Sequence, residues 1–202
     1  MPSFAEQRET LRRWERFPGR EHSGGGVWLT FDDGPDPDAT PAVLEVLGDT
    51  RATFFLVGEQ VNAHQDLARE LTERGHEPAL HGFRHMEHDE LADPRGDLER
   101  GLTAVEDACG VRPRRFRPPY GRFSEDSYAA CRELGLEPVY WSAWGGDWEP
   151  VPPDRIADLA TRDLNPDAIL LLHDSARYAY RGSARATVEA LPAILAAVGE
   201  LG

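Results

Sequence analysis

The stretch Val27–Pro37, VWLTFDDGPDP, decides the fold. Its first five residues are apolar, aromatic or β-branched, as in a strand. The run then stops at Asp32 and Asp33, and Gly34-Pro35 supplies a turn. Taken alone, Asp-Asp-Gly-Pro is an ordinary turn. A strand apolar on both faces, however, belongs to a parallel sheet covered by helices. In such folds the reactive groups gather where strands give way to loops, at the C-terminal edge of the sheet. Two carboxylates delivered together to that edge therefore mark a candidate site.

Working outward, five more short apolar runs follow: ATFFLV (52–57), PALHGF (78–83), RRFRPPY (114–120), PVYWSAW (138–144) and AILLLH (168–173). Amphipathic stretches separate them. LTERGHE and CRELGLE each end a helical period at a glycine. DPDATPAVL and VPPDRIADL open with Asp or Pro, as helix N-termini do. Alternation of this kind implies βαβ units in a single α/β domain. A barrel and an open doubly wound sheet both satisfy the pattern. Residues 1–24, ending in SGGG, read as an N-terminal adapter segment before a domain over 25–202.

The chain has 202 residues, enough for one sizeable core. Its net charge is −14, and all 22 basic residues are arginine, which argues against nucleic acid or an anionic membrane as the main partner. No apolar run is long enough to span a bilayer. The charged N-terminus lacks the apolar core of a signal peptide, so a cytoplasmic location is expected unless the chain has been trimmed. Cys109 and Cys131 fall in helical patterns and are expected to be buried free thiols.

Nearly every predicted strand ends in a polar group: Asp32 and Asp33, His81 and His85, Arg117 and Tyr120, Asp147 and Trp148, His173 and Asp174. Two histidines four apart share a helix face, or a tight loop can converge them. With one aspartate they make a three-ligand site that keeps an open position, the usual catalytic arrangement for zinc and similar ions. The second aspartate is then free to act as a general base. Adjacent residues at a strand end point in opposite directions, so the pair can divide the work. A strand arginine such as Arg117 needs a carboxylate partner, and a bidentate contact to the unclaimed aspartate is expected. His173 can act as a general acid, with Asp147 raising its pKa and fixing its tautomer. His64, His76 and His88 read as solvated.

TFDDGP (30–35), HGFRH (81–85), RPPYG (117–121), GDW (146–148) and LLH (171–173) occur in this order. Together they resemble the five motifs of the polysaccharide deacetylase family, also called carbohydrate esterase family four, with its nodulation-factor deacetylase homology domain. The resemblance covers residues 25–200. It implies a distorted (β/α) barrel of six to seven parallel strands. It also implies a divalent metal ion, usually zinc and sometimes cobalt, and an N- or O-acetylated sugar or polysaccharide as substrate. By position, Asp32 resembles the catalytic base, and Asp33, His81 and His85 the metal ligands. Arg117 resembles the arginine that braces the base. The Tyr120 amide would help hold the oxyanion, and Trp148 and Leu171 would line the acetyl pocket. His173 resembles the general acid and Asp147 its tuner.

Two departures stand out. Gly82 occupies the place where the second motif carries Ser or Thr, and Trp144 the place where the fourth begins with Asp. Trp141, Trp144 and Trp148 form a group that could stack on sugar faces. The departures and the missing export signal keep open a hydrolase of another C–N bond, such as a formamide or cyclic amide in a small or lipid-linked substrate. A non-catalytic carbohydrate-binding domain is a further alternative. Oligomeric state is not legible in the sequence.

Overall fold

A computed structural model describes residues 14–201. Seven strands form one sheet: β1 (Trp28–Asp32), β2 (Thr53–Leu56), β3 (Glu77–Leu80), β4 (Arg115–Phe116), β5 (Glu137–Pro138), β6 (Ala143–Trp144) and β7 (Ile169–His173). Their order is β5-β4-β3-β2-β1-β7-β6, and every pairing is parallel. The apolar Val27–Pro37 stretch thus supplies β1, the strand between β2 and β7. The sheet curls as the expected distorted barrel, in a single domain. Parallel pairing sends every C-terminal strand end to one edge.

Among the described residues, helices α1 (Thr40–Leu47), α2 (Gly58–Ala63), α3 (Gln65–Glu73), α4 (Pro94–Cys109), α5 (Glu125–Glu133), α6 (Pro153–Arg162) and α7 (Arg185–Gly199) cover the sheet. The anticipated stop signals operate. Gly75 and Gly135, just past α3 and α5, take φ of 81° and 76°, which only glycine adopts without strain. Phe31, Phe54, Leu56, Leu80, Phe116, Leu170 and Leu172 are fully buried in the core. Cys109 and Cys131 are buried free thiols, as expected. No helix among the described residues is long and apolar enough to cross a membrane.

The run 138–144 departs from its expected form as one strand. It splits into β5 and β6, which lie at opposite edges of the sheet. Its middle keeps backbone partners. The Val139 amide donates to Phe116 O, the Tyr140 amide to Arg20 O and the Ser142 amide to Ile169 O. The Tyr140 ring stacks on Trp14, with centroids 4.2 Å apart. Val139 and Ser142 thus stay bonded to the strands that β5 and β6 already pair with, and the Arg20 contact satisfies Tyr140 as the chain crosses between the two edges.

Of the expected adapter, residues 1–13 lie outside the described residues. Beyond them, Trp14 and Phe17 are buried in the core cluster.

Candidate metal and proton-transfer site

The first cluster forms where β1 meets the loop after β3. His81 begins that loop, and its amide donates to Leu56 O at 2.8 Å. His85 follows in the same loop rather than on a helix, so the tight-loop option brings the histidines together. Asp33 Oδ1 lies 3.1 Å from His85 Nε2 and 3.5 Å from His81 Nε2. One ligand atom from each of the three residues lies within 4.8 Å of the others. Asp33 Oδ1 is buried without a conventional hydrogen-bond partner among the described residues. His81 Nδ1 sits 2.7 Å from Arg117 O, a contact that fixes Nδ1–H and leaves the Nε2 lone pair facing Asp33. A nitrogen, nitrogen, oxygen donor set of this kind suits a divalent metal ion.

The two aspartates do not diverge as alternation along a strand predicts. Asp33 has φ of 81°, outside the extended region, and this turns its carboxylate back toward the histidines. Asp32 Oδ2 is itself 3.8 Å from His81 Nε2. Burial works against ionisation of Asp33, but the close approach of His81 and His85 and the nearby His173 charge hold it well below the usual carboxylate range.

Arg117 is fully buried and donates from Nη1 to Asp32 Oδ1 at 2.6 Å. The expected bidentate fork does not form. The same Nη1 also donates to Thr30 Oγ1 at 2.9 Å, and Nη2 donates to Tyr140 O at 2.8 Å. The guanidinium therefore divides its donors among three acceptors, with its carbon 4.1 Å from the Phe55 ring centroid. Burial lowers its pKa, and the Asp32 charge opposes that shift.

His173 ends β7 directly beside Asp32 in the register. Its Nδ1 lies 2.8 Å from Asp147 Oδ1, and its amide donates to Asp147 Oδ2 at 2.9 Å. Burial disfavours the imidazolium, yet the Asp147 charge and hydrogen bond raise its pKa to about 9. Sequence reasoning missed what holds Asp147. Thr187, on α7, donates to its Oδ2 at 2.8 Å, and Arg181 approaches the same oxygen at 3.5 Å. Neither residue belongs to a recognisable motif, and only folding brings them there. Asp174, a strand-end group in the sequence, has a structural part. It accepts from the Gly34 amide at 3.1 Å and from Thr40 Oγ1 at 2.5 Å. It thereby ties the turn after the paired aspartates to α1. Burial raises its pKa to about 7.

The other sequence candidates divide. Tyr120 is half-exposed, has φ of 58°, and presents its ring edge-on to His85 at 4.8 Å. Asp33 and Tyr120 are the non-glycine positive-φ residues of the described chain, and both border the site. Trp148 meets His173 edge-on at 5.8 Å, and Leu171 is buried on β7. Trp141 leaves the expected sugar-stacking group, because it packs edge-on against Trp14 at 4.9 Å and belongs with the core. His76 and His88 are buried rather than solvated, and burial drives His88 down to about 3. His64 is partly exposed.

His88 also accounts for Gly82. A Cβ at Gly82 would sit 3.1 Å from Asp97 Oδ2 and 3.3 Å from His88 Nε2, and the residue has φ of 86°. Buried Asp97 in turn accepts from the amides of Phe83 and Arg84, which fixes the loop carrying His85. Glycine is thus the residue this loop geometry requires.

Comparison with known proteins identifies the family. The Polysaccharide deacetylase family pattern matches residues 19–139. A chitooligosaccharide deacetylase of Bradyrhizobium sp. is 39% identical over 153 residues, covering 73% of this chain and 70% of the relative. A solved peptidoglycan N-acetylglucosamine deacetylase superposes with a TM-score of 0.84 at 26% identity, covering 93% of this chain and 89% of that one. A pseudoenzyme of carbohydrate esterase family four from Bacillus anthracis superposes at 0.80 and 26% identity, covering 91% of this chain and 64% of that one. With its paired carboxylates, its two histidines and its buried arginine on one sheet edge, the chain belongs to the polysaccharide deacetylase family.

Proposed function

We propose that the protein is a metal-dependent deacetylase that hydrolyses the acetamide of N-acetylglucosamine units in a chitooligosaccharide or peptidoglycan-type glycan, with zinc at Asp33, His81 and His85. The observation that carries this reading is the meeting of three features at one sheet edge. These are the Asp33–His81–His85 donor set, the Asp32–Arg117 pair and the His173–Asp147 pair. The relatives named for chitooligosaccharide and peptidoglycan substrates support the substrate class.

When bound, a divalent ion supplies Lewis-acid polarisation of the acyl oxygen and acidifies the attacking water. The chain supplies the proton traffic. Asp32, braced by Arg117, takes a proton from water as its oxygen adds to the acyl carbon. The Tyr120 amide, at the turn held in positive φ, donates to the developing oxyanion. The carbon–nitrogen bond then breaks, and His173 delivers its proton to the departing amine. Acetate and a free amino sugar result. Trp148 and Leu171 bound the space for the small acyl group. Retention of the base, the acid and all three donor residues argues against a non-catalytic role.

The direct test is acetate release from N-acetylglucosamine oligomers and peptidoglycan fragments, before and after chelation and after zinc is restored. The expected result is loss on chelation and recovery with zinc. Equal turnover by stripped and loaded protein would reject the reading.

The proton-transfer assignment also fixes a pH dependence. His173 must be protonated to act as an acid, so kcat should decline as pH rises through about 9. In Asp147→Asn the raising charge is lost and burial remains, so the alkaline limb should move down by at least about one pH unit. A pH–rate profile of the two proteins checks this, and an unmoved limb would remove Asp147 from the role.

A further inference from the structure

The two histidines of the donor set are oriented by different means. His81 is held by a hydrogen bond from its ring to Arg117 O. A metal-binding histidine normally has such a partner at its outer nitrogen. His85 Nδ1, by contrast, is buried and has no protein hydrogen-bond partner among the described residues. Its ring instead lies against Tyr178, with centroids 4.1 Å apart and planes only 8° from parallel. On another side stands the edge of Tyr120, at 4.8 Å and 72°. Tyr178 is itself anchored. It sits in the loop after β7, and its hydroxyl accepts from Gln60 Nε2 on α2 at 3.0 Å.

We propose that Tyr178 is the positioning residue for His85, an aromatic clamp that does for this ligand what a hydrogen bond does for His81. This inference rests on the reading of Asp33, His81 and His85 as a metal site. A stacked ring blocks rotation about the Cβ–Cγ bond of His85, and the Tyr120 edge limits the remaining freedom. Nε2 is thereby kept facing Asp33 Oδ1, 3.1 Å away. The π face also favours an imidazole that becomes electron-poor on coordination, as it favours a cation. Because Tyr178 bridges the β7 loop and α2, the clamp also links the His173 side of the site to the His85 side. No local pattern in the sequence marks this residue.

The test is direct metal binding to the full chain, without substrate. Affinity for Zn²⁺ is measured by competition with a chromophoric chelator, and the ligand field by the visible spectrum of the Co²⁺-loaded protein. Tyr178→Leu removes the aromatic face and should weaken binding roughly 10–100-fold with an altered Co²⁺ spectrum. Tyr178→Phe keeps the face and loses only the Gln60 bond, so it should stay within about threefold of the parent. An unfolding scan of each variant checks that the fold is retained. Unchanged affinity and spectrum in a folded Tyr178→Leu variant would overturn the proposal. If the parent chain itself takes up neither ion, the reading of the metal site fails, and this inference fails with it.

Discussion

Asp32→Asn is expected to lower kcat for acetate release by about 10²–10⁴-fold while the protein stays folded and keeps its metal. The substitution is nearly isosteric, and the amide oxygen can still accept from Arg117. What disappears is the capacity to take a proton from the attacking water. A loss of this size corresponds to about 3–5 kcal/mol in the barrier. Metal affinity should change only a few-fold, since Asp33, His81 and His85 remain. Steady-state turnover with saturating Zn²⁺, paired with elemental analysis of bound metal, separates the two quantities. A variant retaining more than about a tenth of parental turnover would place the base elsewhere. A variant that lost its metal would instead make Asp32 a ligand, which its 3.8 Å approach to His81 Nε2 makes a fair contest.

Arg117→Met should have the largest effect on stability. The side chain is fully buried and serves Asp32, Thr30 Oγ1 and Tyr140 O at once. Methionine fills much of the volume but strands the Asp32 carboxylate without its cation. Breaking a buried pair from one side costs about 3–5 kcal/mol. For a chain of this size that is a fall in Tm of roughly 10 °C by calorimetry at neutral pH. Arg117→Lys should recover little, because one ammonium cannot reach acceptors arrayed around a planar fork. The His81 contact uses the backbone carbonyl of residue 117 and survives either substitution. A Tm within about 2 °C of the parent would show that the pair carries little of the stability.

Asp32, Asp33, His81, His85, Arg117, Asp147 and His173 lie at strand ends or in the loops that follow them, and parallel βαβ order sends strand ends to one edge. Their convergence therefore follows from local patterns and connectivity alone. The sharing of Arg117 among three acceptors does not. Tyr140 reaches it only because the chain between β5 and β6 crosses from one sheet edge to the other, a path no run of apolar residues reveals.

The sequence by itself determined the alternation of strands and helices, the single domain, the family and the chemical types gathered at the site. Each is written in short-range periodicity or in contiguous motifs. The tertiary structure alone decided the rest. It split 138–144 into strands at the two edges of the sheet, buried His76 and His88, turned Asp33 back toward His85 and required glycine at position 82. It also set Thr187 and Arg181 behind Asp147 and stacked Tyr178 on His85. The physical reason is common to all of these. Packing and hydrogen-bond satisfaction are settled between residues far apart in the chain, and neither leaves a periodic trace in the amino-acid order.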